Sequence, residues 1–219
     1  MRLYLSSYRF GDRFDVFLGM AGQGARIGVI ANALDAIPQV DRDGYARTIH
    51  DPIAELRAHG FDAADLDLRR YFGAPERLAE ALGGLDAIWA TGGNTFLLRR
   101  AMRQSGFDRV GVERILADKL VYAGWSAGAI VAGPDLRGIE LMDDPNVLAE
   151  GYDPAPIWEG LNLIAVHLVP HYESDHPESA AADEATAYLL DQALPYRTMR
   201  DGDVLVRDAS GLRAYEHKD

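Results

Sequence analysis

Apolar and polar positions repeat with two different periods along this chain. Short runs rich in Val, Ile and Leu at 2–7 (RLYLSS), 25–33 (ARIGVIANA), 86–90 (DAIWA), 119–124 (KLVYAG) and 162–169 (NLIAVHLV) predict strands. Segments 43–59, 75–82, 95–104, 108–118 and 177–193 carry helical spacing instead, with Pro52 marking a break in the first and Pro75 placed as a first-turn proline. Weaker strands are expected near 63–68 and 196–199, and the tail DGDVLVRDASGLRAYE predicts a hairpin turning at Ser210-Gly211. Strand and helix alternate through most of the chain. That order predicts an α/β fold: a single domain over 1–219 with an open parallel sheet, helices on both faces and a C-terminal β-hairpin. The stretch 133–160 holds Pro134, Pro145, Pro154 and Pro156 and has no periodicity. Loops of that length in compact domains usually serve function.

Composition narrows the class. A chain of 219 residues, 48% hydrophobic and 26% charged, describes one soluble core. No window reaches the ~18 apolar residues of a membrane helix, and the N-terminus lacks the apolar stretch of a signal peptide, so a cytoplasmic protein is expected. The absence of cysteine excludes disulfides, zinc–thiolate sites and thiol nucleophiles. The net charge of −12 repels phosphate backbones, so no nucleic-acid partner is expected. Apolar helix faces leave room for a homodimer or higher homo-oligomer, although they serve a core equally well.

One motif carries chemistry. Gly124-Trp125-Ser126-Ala127-Gly128 satisfies G-x-S-x-G between an apolar strand and a small-residue helix. A nucleophile on such a turn has strained backbone angles and close neighbours, so small residues are needed beside it. The same serine could otherwise be only a helix cap. A second strand–Gly-Gly–helix turn, ATGGNT at 90–95, precedes it by one strand. In a parallel sheet both turns emerge at the strand carboxyl ends, where such folds bind ligands. Amides of Gly92 or Gly93 together with that of Ala127 would suit an oxyanion hole. Asn94, Thr95 and Trp125, beside the two turns, are the expected substrate contacts.

A serine needs a base. His171, after the strand at 162–169 and stiffened by Pro170, is better placed than His176. His167 reads as a core histidine, and His50 and His59 as surface residues of the helix 43–59. His167, His171 and His176 with Glu173 and Asp175 match no standard ligand spacing, so neither metal nor cofactor is expected. The orienting acid stays open among Glu140, Asp143, Asp144, Asp201 and Asp203.

GGNTF at 92–96, GWSAGA at 124–129 and PHY at 170–172 together resemble the dipeptidase E (aspartyl dipeptidase) and cyanophycinase family of serine peptidases. That resemblance implies a class I glutamine-amidotransferase-like fold and hydrolysis of short peptides. It makes Ser126 the nucleophile and His171 the base, with Gly93 and Ala127 as oxyanion donors. It puts the acid near Glu140, with Asp201 as the alternative. Aspartate-specific members carry an arginine shortly after the catalytic histidine, whereas this chain has no Lys or Arg from Tyr172 to Tyr196. Strict Asp specificity is therefore not expected, unless Arg137 or a partner subunit supplies the charge. Two other classes compete: an α/β-hydrolase esterase using Ser126, Asp201 or Asp203 and His217, and a silent binding module that keeps only the fold.

Overall fold

The computed structural model describes residues 1–217. Strand β1 (Leu3–Ser6) leads through helix α1 (Phe14–Ala21) to β2 (Arg26–Ile30). Helices α2 (Gln39–Thr48) and α3 (Pro52–Ala58) precede β3 (Asp62–Asp65), and α4 (Pro75–Gly83) precedes β4 (Ala87–Ala90). Then come α5 (Thr95–Ser105), α6 (Phe107–Leu116), β5 (Val121–Trp125) and the short α7 (Ala127–Ile130). After the long loop come β6 (His167–Val169), α8 (Ser179–Asp191), β7 (Tyr196–Thr198) and the hairpin β8 (Val204–Asp208) and β9 (Gly211–Tyr215).

The main sheet has seven strands in the order β3-β2-β4-β5-β1-β8-β9. The first five run parallel, and β8 and β9 add an antiparallel edge beside β1. The expected α/β sheet with its C-terminal hairpin is thus present, in mixed rather than wholly parallel form. The hairpin turns one residue earlier than expected, because Gly211 already pairs with Asp208.

The strands alternate their side chains between two apolar layers. Leu3, Leu5, Ile88 and Tyr122 pack against α4, α5 and α6, while Tyr4, Ile27, Trp89 and Val121 pack against α1 and α3. Local chemistry sets several helix ends. Asp51 caps α3 through bonds from the amides of Ile53 and Ala54, with Pro52 in the first turn, so the helix expected over 43–59 breaks into two. Asn94 caps α5, and Gly106 ends it in the left-handed region.

Two expectations need correction. The segment before His167 is not strand: Leu161 bonds to Val131, and Leu163 and Ile164 bond to Ala132, so this stretch tracks the chain after α7. β6 is therefore short, and it pairs in parallel with β7 outside the main sheet. His50 is buried rather than exposed, because the break before Pro52 folds it back beneath the ring of Trp125.

Candidate active site

Ser126 sits at the carboxyl end of β5 with φ 49° and ψ −117°. A non-glycine residue held there is strained, and the surroundings must over-determine it. They do: its N–H donates to the carbonyls of Ser6 (3.2 Å) and Ser7 (3.1 Å), and its carbonyl accepts from Ala129 and Ile130. The turn requires glycine on both sides. A Cβ on Gly124 would lie 2.6 Å from the Gly128 carbonyl oxygen, and one on Gly128 would lie 2.2 Å from that of Ala90. Tyr122 fixes the same turn through its hydroxyl, which donates to the Gly128 carbonyl at 2.6 Å. The Ser126 residue is 6% exposed, and its hydroxyl makes no hydrogen bond with the described residues.

The preceding turn stands beside it. Gly92 packs against the Trp125 ring, and Gly93 holds φ 127°. The amides of Gly92, Gly93 and Ala127 donate to no acceptor among the described residues, as an oxyanion site requires. Asn94, expected to touch substrate, is occupied within the protein instead, and Thr95, expected likewise, is buried with its hydroxyl without a partner among the described residues. Asn94 accepts from Leu97 N–H and donates to the Asp144 carbonyl, while Thr95 is fully buried and its N–H donates to Asp143 at 2.9 Å. Trp125 faces the adjoining cavity, and its Nε1 has no partner among the described residues.

His171 follows β6 in the left-handed region, φ 62°, and is 1% exposed. Its N–H donates to Ser7 Oγ at 2.9 Å, and its Nδ1 lies 2.8 Å from Asp201 Oδ1. Ser7 Oγ is also 3.0 Å from Asp201 Oδ1. Burial works to raise the Asp201 carboxyl, but the bonds from His171 and Ser7 prevail and hold it below the ordinary range. The Tyr8 ring spans the site, 5.5 Å from the Trp125 ring and 5.9 Å from that of His171. Ser126, His171 and Asp201 are thus tied to one strand end.

Glu140, ranked first as the orienting acid, does not bond His171; that place is taken by Asp201, the alternative. Asp143, from the same loop, is half-buried at the start of α5, and desolvation, against the Thr95 bonds, pushes its carboxyl up to about 6. His167 is the core residue expected, bonded to Asp135 and the Pro195 carbonyl, both at 2.9 Å. His217, needed by the esterase arrangement, pairs its ring with Asp12, while its amide donates to Asp203. Sequence reasoning missed Ser7 and Tyr8, for which a strand end beside the serine strand was the one available signal.

His171, His176 and Glu178 offer ligand atoms within 4.8 Å of one another. The two imidazoles, however, stack at 3.7 Å and 9°, so no ion can lie in both ring planes. His176 Nδ1 also accepts the Glu178 amide at 3.2 Å. This arrangement fits a metal poorly.

The loop 133–160 is pinned rather than loose. The buried guanidinium of Arg100 donates to the carbonyls of Pro145 (2.7 Å), Val147 (3.3 Å), Pro154 (3.0 Å) and Ala155 (3.2 Å). Arg100 lies on α5, so the loop is fastened to the helix that carries the Gly-Gly turn.

Among the described residues, no helix is long and apolar enough to cross a membrane. The chain is 35% identical over 99 residues to an uncharacterized peptidase of Listeria innocua, a match spanning 45% of each protein, about half its length. It is 29% identical to Peptidase E of Streptomyces coelicolor over 87% of this chain and 71% of that one. The crystal structure of a protein assigned as a peptidase E from Listeria monocytogenes EGD-e shares the fold, with a TM-score of 0.78 at 23% identity over 99% of this chain and 98% of that one. The family model for peptidase family S51 matches residues 36–214. With that match over most of its length, the chain belongs to peptidase family S51.

Proposed function

We propose that this protein is a serine peptidase that cleaves short peptides through an acyl-enzyme. Ser126 Oγ attacks the scissile carbonyl carbon while His171 Nε2 takes its proton. Asp201 accepts the Nδ1–H of His171, which leaves Nε2 as the base and stabilises the imidazolium that forms. The amides of Gly92, Gly93 and Ala127 receive the oxyanion. The imidazolium then protonates the departing amine, and water, activated by the same histidine, releases the acyl group.

The observation that carries this reading is that a strained Ser126 with an unbonded hydroxyl and a buried histidine–aspartate dyad are both bonded to Ser7. The pinned loop is fastened to Asn94 and Thr95, directly after the Gly-Gly turn, which favours short substrates. Strict recognition of aspartate is not part of the reading. Arg137, one source considered for such a charge, is held by Asp135 in a two-pronged pair (3.0 and 2.7 Å). A chain without cysteine suits the reducing cytoplasm.

The test is hydrolysis of a panel of acidic, neutral and basic dipeptides and longer peptides by wild type and Ser126→Ala. The reading expects turnover that falls by about 10⁴-fold or more in the variant. Turnover retained in Ser126→Ala would overturn it, and hydrolysis of esters alone would favour an esterase.

A further inference from the structure

We propose that Arg9 anchors a carboxylate of the peptide substrate beside the scissile bond. This rests on the reading of Ser126 as nucleophile. The loop that leaves β1 places two consecutive side chains on the site. The Tyr8 ring lies between those of Trp125 and His171, at 5.5 and 5.9 Å, and the guanidinium carbon of Arg9 lies over the Tyr8 ring at 4.9 Å. One aromatic ring therefore separates this cation from the proposed base and from the residue that precedes Ser126.

The backbone that carries Arg9 is strained and fixed. Its φ of 47° lies in the left-handed region, uncommon for a residue with a side chain. Ser6 Oγ donates to the Arg9 carbonyl at 2.6 Å, and the Gly11 amide donates to that of Tyr8 at 3.1 Å. Such strain persists only where the surroundings over-determine it, and it clusters at ligand clamps. Here it leaves a long basic residue half-buried rather than free in solvent.

The charge so placed has no counter-charge. No carboxylate among the described residues pairs with Arg9, whose neighbours are the hydroxyls of Tyr45 and Tyr8. Burial works to lower its pKa, but those hydroxyls prevail and hold it above the ordinary value, so the group stays a cation. Phenol hydroxyls can accept its N–H groups without neutralising its charge. The Arg9 Nε is buried without a partner, which leaves the terminal nitrogens to meet a ligand. Tyr45 stands on α2, none of whose residues is buried, so its contact with Arg9 can yield. Burial and then the charge of Arg9 lower the pKa of His50, whose ring lies 6.2 Å from that of Trp125. Tyr45, His50 and Trp125 line a cavity of about 720 Å³ that adjoins Gly92 and Gly93, so the cation acts on the wall of this space.

A carboxylate matches the group in charge and in shape, because the planar fork of a guanidinium can hold both oxygens. An unblocked dipeptide carries one on its leaving residue, next to the scissile bond, and an acidic side chain carries the same group. Anchoring through the terminal carboxylate confines cleavage to the shortest peptides.

The test compares the best-cleaved neutral dipeptide with its carboxyl-terminal amide, and that amide with amides carrying Asp in place of either residue. Wild type, Arg9→Gln and Arg9→Lys are assayed on each. In wild type a peptide bearing a carboxylate is expected to exceed the plain amide about tenfold or more in kcat/KM, chiefly through KM. A gain in the free dipeptide identifies the terminal carboxylate, and a gain in an Asp amide identifies the side chain. Arg9→Gln should cut the gain about fivefold or more. Arg9→Lys keeps the charge without the fork and should cut it about twofold or more, which decides the matter alone if Arg9→Gln does not fold. Equal rates with and without a carboxylate in wild type, or a gain untouched by the variants, overturns this proposal and leaves the peptidase reading standing. No turnover of any peptide overturns both.

Discussion

The Ser7 hydroxyl accepts the amide N–H of His171 at 2.9 Å, across 164 residues of chain. The same oxygen lies 3.0 Å from Asp201 Oδ1, and the Ser7 carbonyl accepts from Ser126. Ser7 is fully buried and touches all three parts of the site. Removing its hydroxyl leaves the His171 amide without an acceptor and takes a bond from the Asp201 carboxylate. Hydrogen bonds to charged groups contribute about 1.5–3 kcal/mol. Ser7→Ala should therefore lower kcat by roughly ten- to a hundredfold with KM changed less than threefold. Because the Ser7 bond helps to keep the Asp201 pKa low, its loss raises that pKa and moves the acid limb of the pH–rate profile upward. An unchanged profile with reduced kcat would make Ser7 only structural.

Asp201→Asn separates the two acids considered for the site. An amide at Asp201 can no longer fix the proton on His171 Nδ1, and kcat should fall by about 10³–10⁴-fold. Glu140→Gln should cost less than tenfold. The reverse order in steady-state rates would return the role to Glu140.

Asp143 gives the protein a pH-dependent stability. Its carboxyl is pushed from 3.8 to about 6, mainly by burial. The native state then binds more protons than the unfolded one between those values, so stability falls as pH rises through that window. A two-unit shift corresponds to roughly 3 kcal/mol. Asp143→Asn should abolish this component. Thermal unfolding at pH 4.5 and 7.5 should show wild type losing more stability than the variant, and equal slopes would refute the assignment.

Gly128 and Gly83 make a contrast in packing. A Cβ on Gly128 would strike the Ala90 carbonyl, whereas one on Gly83, at the end of α4, would meet nothing within 4 Å. Gly128→Ala should cost about 2–3 kcal/mol or more, and Gly83→Ala should be neutral or stabilise by about 0.5–1 kcal/mol. Urea midpoints for the two variants provide the check.

The sequence made Ser126 and His171 legible because their signals are local. Close glycines before and after a serine, and a histidine where an apolar run stops, need no knowledge of distant chain. Asp201 was only one of several loop carboxylates, since what selects it is contact with a residue thirty positions away. Ser7 gave no signal of its own for the same reason. Helix α1 (FDVFLGMA) was missed because its polar positions are too few to show a period. The run at 162–166 reads as strand from its apolar residues alone, yet its backbone bonds to Gly133 and Ala132 rather than to a sheet. His50 was misplaced because the turn before Pro52 redirects it into the interior.

Strand β8 lies beside β1, with Arg207 paired to Leu3. The earliest and some of the latest segments of the chain thus meet at the site, and the ribosome makes them far apart in time. A nascent chain that has emerged only as far as α8 already carries Ser126 and His171. It still lacks Asp201 and the strand that encloses the Ser7 edge of the sheet. The proposed nucleophile is therefore synthesised well before the carboxylate bonded to His171. Under the proposed mechanism, a chain that stops at α8 lacks the carboxylate that orients His171.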